Sequence, residues 1–246
     1  MTEPLRLERS PKRVRVYLAG HLVADSLSPW LVWELPYFPT YYFPRQDVLA
    51  ELVANGNSEH SARRGKATMY DVAVEGERAS GAASVYADSP LEQLRSLVRI
   101  RWDAMDEWLE EDEPVYTHPR DPYTRVDILA SSRRVQVRID GVELADSDQP
   151  RIVFETGLPP RFYLPLSQVR TELLRPSATV THCPYKGEAH YWSVEVNGTL
   201  HQDAVWTYRT PLPEAAKIAG LAAFYNERVD LMVDGTLQER PRTRFS

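Results

Sequence analysis

The chain has 246 residues, 43% of them hydrophobic and 26% charged, proportions that fit a soluble globular protein of about two ordinary domains and exclude a disordered or fibrous one. With 29 basic against 35 acidic residues the net charge is -6, which opposes general attraction to nucleic acid phosphates. The 19 prolines outnumber the 11 glycines, and proline is costly inside helices and central strands alike, so short elements joined by turns are expected.

In chain order, the first residues, MTEPLRLERSPKR, lack the apolar core of a signal peptide, and no stretch is apolar enough to cross a bilayer as a helix. Together with the single Cys183, which can form no internal disulfide, this predicts a reducing, cytoplasmic compartment and no membrane partner. Residues 13–26, RVRVYLAGHLVADS, alternate as a hairpin around Ala19-Gly20. Tyr70, Val72 and Val74 share one face of a later strand. A short helix over Asp103–Glu110 would put Met105 and Trp108 on one face. The proline-broken stretch 116–124 reads as a linker.

Residues 134–147, RVQVRIDGVELADS, then repeat the first hairpin at an offset of 121, with seven of fourteen residues identical. The register continues through Glu34/Glu155, Tyr42/Tyr163 and Pro44/Pro165. After one inserted residue, Gly65/Gly187, Tyr70/Trp192 and Gly76/Gly198 follow at 122, and residue likeness then pairs Val85 with Val205 and Tyr86 with Trp206. Single helical turns are expected after Pro165 and over Pro213–Lys217. The strand HYWSVEVNG sets Trp192, Val194 and Val196 on one face and closes on Asn197-Gly198. The expected architecture is mainly β: two tandem small antiparallel β domains, tent-like or barrel-like, 12–115 and 125–240, related by a pseudo-twofold axis and paired within the chain.

Positions that are apolar or turn-forming in both copies are explained by folding. Polar, chemically capable positions in one copy alone are better functional candidates, and on this alignment they gather in copy two: Cys183 faces Ser61, Asp203 faces Ala83, and Tyr208 faces Asp88. Glu34/Glu155 and Tyr42/Tyr163 suit either a shared pocket or a structural hydrogen bond. The segment THCPYKGE carries the most chemistry, because His182 and Lys186 are cations that favour thiolate, the nucleophilic form of Cys183. The same cysteine fits equally a small buried residue before a proline turn. Asp203, two residues past His201, would orient a histidine or a ligand hydroxyl, or else form an Asx turn. His182, Cys183, His190, His201 and Asp203 match no compact metal motif, so no metal and no other cofactor is expected. Phosphate-loop, dinucleotide and GxSxG patterns are missing from the sequence.

HCPYKGEAHYWSVEVNG, DAVWTY and PLPEAAKIAGLAAFY, with RVQVRIDGVELADS, closely resemble domain of unknown function family 427, a bacterial and fungal family also labelled nucleotidyltransferase-like. The resemblance spans nearly all of 134–235 and implies a compact β-rich domain. Its Cys-Pro-Tyr-Lys-Gly block falls on Cys183, Pro184, Tyr185, Lys186 and Gly187, and its Asp-Ala-Ala-Trp block on Asp203, Ala204, Val205 and Trp206. Copy one resembles the family through its hairpin, YYFP and YDVAVEG, but departs from both blocks and so reads as a degenerate partner. Paired CxxC zinc motifs, which a tent-like fold implies, cannot be built from one cysteine, and no paired carboxylates are spaced for a two-metal transferase. The expected function is small-molecule or partner binding in an aromatic pocket of copy two, lined by Glu155, Tyr163, Cys183, Lys186, Asp203, Trp206 and Tyr208. The alternative is an enzyme in the same pocket, with Cys183 as nucleophile or redox thiol, His182 or Lys186 activating it, and Asp203 orienting.

Overall fold

The computed structural model describes residues 5–243, so Arg244 of the terminal arginine cluster lies outside the described residues. The chain divides between Asp121 and Pro122 into two compact units. In the C-terminal unit, seven antiparallel strands lie in the order Val126–Ala130, Arg151–Glu155, Arg161–Leu164, Ala222–Phe224, Thr199–Tyr208, Gly187–Val196, Leu174–Cys183. A second sheet runs Val142–Ser147, Val135–Ile139, Asp230–Val233, Thr236–Leu237. The N-terminal unit has the same two sheets, beginning with a strand, Leu7–Arg9, too short and too polar to register as a repeat in the sequence.

The first hairpin of each unit turns where the sequence predicts it. Asp140 and Gly141 adopt φ of 50° and 76°, and Ala19 and Gly20 adopt 49° and 79°, the left-handed pair that matches strand twist. Alternation then directs Val135, Val137 and Leu144 of the small sheet onto Leu164, Val194, Val205 and Phe224 of the large one, all buried. Val14, Val16 and Val23 meet Phe43, Val72, Ala83 and Ile100 likewise in the N-terminal unit. Burying each such side chain contributes about 1.5–3 kcal/mol, which makes this sandwich core the main source of stability. The other face of the C-terminal large sheet carries Ile128, Tyr163, Tyr191, Trp206 and Tyr208, covered in part by Ala215 and Ile218 of the 3-10 turn Pro213–Ile218.

Three expectations change. No barrel closes: the outermost strands of each large sheet share no ladder with each other. Residues 103–110 are not a helix but a 3-10 turn, Trp102–Ala104, followed by the strand Glu107–Glu110, which pairs with Val14–Leu18. Two apolar residues at helical spacing do not outweigh a hairpin edge whose amides need a partner. The alignment of the last strands also changes. Val72 pairs with Ala79 and Tyr70 with Ala83, while Val194 pairs with His201 and Trp192 with Val205, so the offset stays at 122 throughout. Both strands bulge at the same place, on Gly81 (φ 57°) and Asp203 (φ 50°). The structural counterpart of Asp203 is therefore Gly81, that of Trp206 is Ser84, and that of Tyr208 is Tyr86. Tyr208 is not peculiar to copy two.

Candidate functional site

Four elements bring the site together on the second face of the C-terminal sheet. Glu155 ends the strand Arg151–Glu155, Tyr163 lies on Arg161–Leu164, and Trp206 and Tyr208 lie two apart on Thr199–Tyr208. The turn between Cys183 and Gly187 supplies Lys186. Gly187 has φ of 96°, and a Cβ there would stand 3.4 Å from the backbone nitrogen of Leu212. This close approach lets Leu212 donate its N–H to the Lys186 carbonyl at 3.1 Å. The turn is held against the sheet, and the Lys186 side chain enters the face to pair with the Glu155 carboxylate, the two side chains only 8% and 10% exposed.

Tyr163 and Trp206 both stand opposite Ala223 in the ladder, a residue small enough to let them meet. The indole Nε1–H donates to the Tyr163 hydroxyl at 3.0 Å, with the rings edge to face. Tyr208 tilts against Tyr163 at 6.4 Å between centroids, and Trp206 lies 4.6 Å from Tyr225. Burial pushes the Tyr163 and Tyr208 phenols well above their ordinary range, and the negative charge of Glu155 acts the same way. Both therefore remain neutral hydroxyls at physiological pH. Cys183, half-buried, packs against this aromatic cluster.

The N-terminal unit repeats the charge pair with other neighbours. Arg64 precedes Gly65 as Lys186 precedes Gly187, and it stands 2.9 Å from Glu34. Tyr42 donates to Glu34 at 2.7 Å, and Arg99, in the place of Ala223, reaches the same carboxylate at 2.6 Å. Where copy two has an indole, copy one has Ser84 and the arginine. Among the described residues the Glu34 carboxylate thus holds three donors and that of Glu155 a single ammonium.

Other sequence candidates lie elsewhere. His182 is on the opposite face of its strand from Cys183 by simple alternation, 3.2 Å from Glu188, which also meets His190 at 2.9 Å. Asp203 sits at the bulge, where its N–H donates to Ser193 Oγ and its carboxylate accepts from Thr179 at 2.8 Å. Ser193 is six residues along its strand from Gly187, the partner of Cys183, roughly 20 Å at ~3.3 Å per residue. In the N-terminal unit the bulge is held by Asp71 on the neighbouring strand, accepting the Gly81 N–H at 2.7 Å. A carboxylate at this bulge serves the ladder in both units. Among the described residues no three His, Cys, Asp or Glu side chains gather as metal ligands.

One pair escaped sequence reading. Arg161 makes two 2.7 Å bonds to Glu227, with side chains 6% and 1% exposed, and its guanidinium lies 5.8 Å from the Trp206 ring centre. Burial raises the Glu227 carboxyl, but the Arg161 bonds and one from Thr243 outweigh it and hold the group below the ordinary carboxylate range. The partners are 66 residues apart, and no local pattern announces them.

A family model described as Domain of unknown function (DUF427) matches the chain twice, over residues 6–111 and 127–235. The chain belongs to this family. Each DUF427 match contains a full copy of the buried charge pair and its tyrosine, Glu34, Arg64 and Tyr42 in one, Glu155, Lys186 and Tyr163 in the other. The matches begin at 6 and 127, so the first one takes in the Leu7–Arg9 strand. A search of curated proteins finds no match to the chain. Among the described residues no helix is long and apolar enough to cross a membrane.

Proposed function

We propose that this two-copy protein is a binding module, and that its C-terminal copy holds a small molecule against the face formed by Tyr163, Trp206 and Tyr208, with the Lys186–Glu155 pair reading the ligand's polar group. The observation that carries this reading is that ion pair, its side chains only 8% and 10% exposed, on the face that carries the aromatic cluster. A buried ion pair contributes little net stability compared with apolar side chains of the same size. Aromatic walls with a few placed polar groups are what a ligand site requires. The pair's occurrence in both copies, with different aromatic neighbours, supports recognition by the charges and selectivity by the rings.

The enzyme reading draws on the partly exposed Cys183 thiol, which shares the cluster with Tyr163 and Tyr208. It is the weaker of the two, since His182 faces away, which leaves Lys186 as the activating cation, and Asp203 serves the bulge, which leaves the orienting role unfilled. A thermal-shift screen of metabolites separates the readings. Binding predicts a stabilising compound whose effect is lost in Trp206→Ala and kept in Cys183→Ser. A broad screen without such a compound refutes it. An iodoacetamide profile of the folded chain with a midpoint clearly below the ~8.5 of a free thiol favours the enzyme.

A further inference from the structure

The two units also differ where the small sheet meets the edge of the large one, away from the face just described. In the N-terminal unit this region is filled by rings. Trp102 and Trp108 stack at 4.3 Å between centroids, 10° from parallel, and Trp108 leans on Phe43. Phe38 stacks on His118 at 3.9 Å. The chain leaving the sheet runs along this filling, anchored by the Val115 N–H on the Trp108 carbonyl at 2.8 Å.

The C-terminal unit keeps the backbone of this arrangement and loses the rings. Trp108 pairs with Val16 as Leu231 pairs with Val137, so Leu231 stands in the place of Trp108. Asn226 follows Phe224 by two residues as Trp102 follows Ile100, the two being matched through Val205 and Ala83. The departing chain is anchored identically, the Gln238 N–H on the Leu231 carbonyl at 2.8 Å. Pro241 now takes the place of His118, and Pro159 that of Phe38. The space vacated is a cavity of about 210 Å³ with walls that include Ile152, Phe154, Phe162, Leu231, Val233 and Pro241.

We infer that this cavity is a binding site for a small planar aromatic molecule of one or two fused rings, filling the place that the Trp102–Trp108 stack fills in the other copy. The size agrees: a cavity of ~150 Å³ takes up benzene, so this half-open one of about 210 Å³ accommodates an indole. Its chemistry agrees as well, with apolar side chains for the ring faces and Arg133, Asn226, Gln238 and Glu239 as the polar part of the lining. The occupant is a free ring compound rather than the tryptophan of a peptide, because the segment Gln238–Pro241 already lies along the cavity where a peptide backbone would run. The site is independent of the Lys186 face, and its failure would leave that reading untouched.

The test uses the full chain, 5-fluoroindole as probe, fluorine NMR to measure saturation and methyl NMR to locate it. The expected result is saturable binding that moves the methyl signals of Ile152, Leu231 and Val233 and leaves Ile128 and Val153, on the other face, in place. Leu231→Trp, which restores the residue of the first copy, weakens binding at least tenfold. Phe154→Trp, at a partly exposed edge where folding is not at stake, weakens it in the same direction. N-acetyltryptophanamide does not compete. Absence of saturable binding, shifts confined to other methyls, undiminished affinity in the folded Trp variants, or competition by the amide each overturns the inference.

Discussion

Lys186 is the side chain whose removal the structure makes most informative. Glu155 has that single ammonium as its cation, with both side chains nearly sealed from water, whereas Glu34 is held by Arg64, Arg99 and the Tyr42 hydroxyl. Stranding one partner of a buried pair costs about 3–5 kcal/mol, a large part of the ~5–15 kcal/mol that holds a domain folded. Lys186→Met, which keeps the apolar stem, is therefore expected to destabilise the C-terminal unit by about 3–5 kcal/mol. Arg64→Met leaves Glu34 two donors and is expected to cost the N-terminal unit about 1–3 kcal/mol, nearer the loss of one charged hydrogen bond. Replacing both C-terminal partners, Lys186→Met with Glu155→Leu, should restore most of the loss, since well-packed apolar residues replace buried pairs at little cost. Denaturant-dependent hydrogen exchange resolved by mass spectrometry reports each unit separately through amides of Gly187–Val196 and Gly65–Val74. A loss under ~1 kcal/mol for Lys186→Met, or a double variant as unstable as the single one, would refute the argument that the pair is desolvated and isolated.

Trp206→Phe removes the donor to the buried Tyr163 hydroxyl and is expected to cost about 1–3 kcal/mol in the same exchange measurement; an unchanged C-terminal unit would contradict the hydrogen bond. Gly187→Ala forces a β-carbon onto φ of 96° beside Leu212 and should cost about 1–2 kcal/mol or more, seen as a lowered melting temperature, while a neutral result would mean the turn is free to move. The Asp71 carboxyl is held down at about 2 by the Gly81 N–H first, then Asn55 and Arg78. A depressed carboxyl contributes stability that is fully present above the ordinary carboxylate range and is lost as pH falls toward 2. Asp71→Asn should thus flatten the acid limb of the N-terminal unit's stability between about pH 4 and 2; parallel wild-type and variant curves would exclude the assignment.

Much of the fold is legible in the sequence because it is local. The duplication follows from one offset, the hairpins from Asp140-Gly141 and Asn197-Gly198, and the buried faces from period-two alternation through Val135, Val137 and Val194. The candidate site is legible only in part. Glu155, Tyr163, Lys186, Trp206 and Tyr208 do share one face, and the opposite orientation of His182 and Cys183 follows from adjacency in a strand. Likeness of side chains nevertheless misaligned Trp206 with Tyr86, since an indole resembles a phenol more than it resembles Ser84. The bulge that sets the true register depends on a left-handed Asp203, which no residue pattern distinguishes from an ordinary turn.

The amino-acid order alone thus determined that the chain holds two antiparallel β copies and where most hairpins turn, because those features arise from neighbours along the backbone. Tertiary structure decided what those copies carry: the Glu155–Lys186 pair across 31 residues, Arg161 on Glu227, the separation of Asp203 from Cys183, and a cavity in one unit where the other has stacked indoles. Each of these depends on segments distant in sequence, and burial and register, rather than local propensity, set which side chains meet and which stay apart.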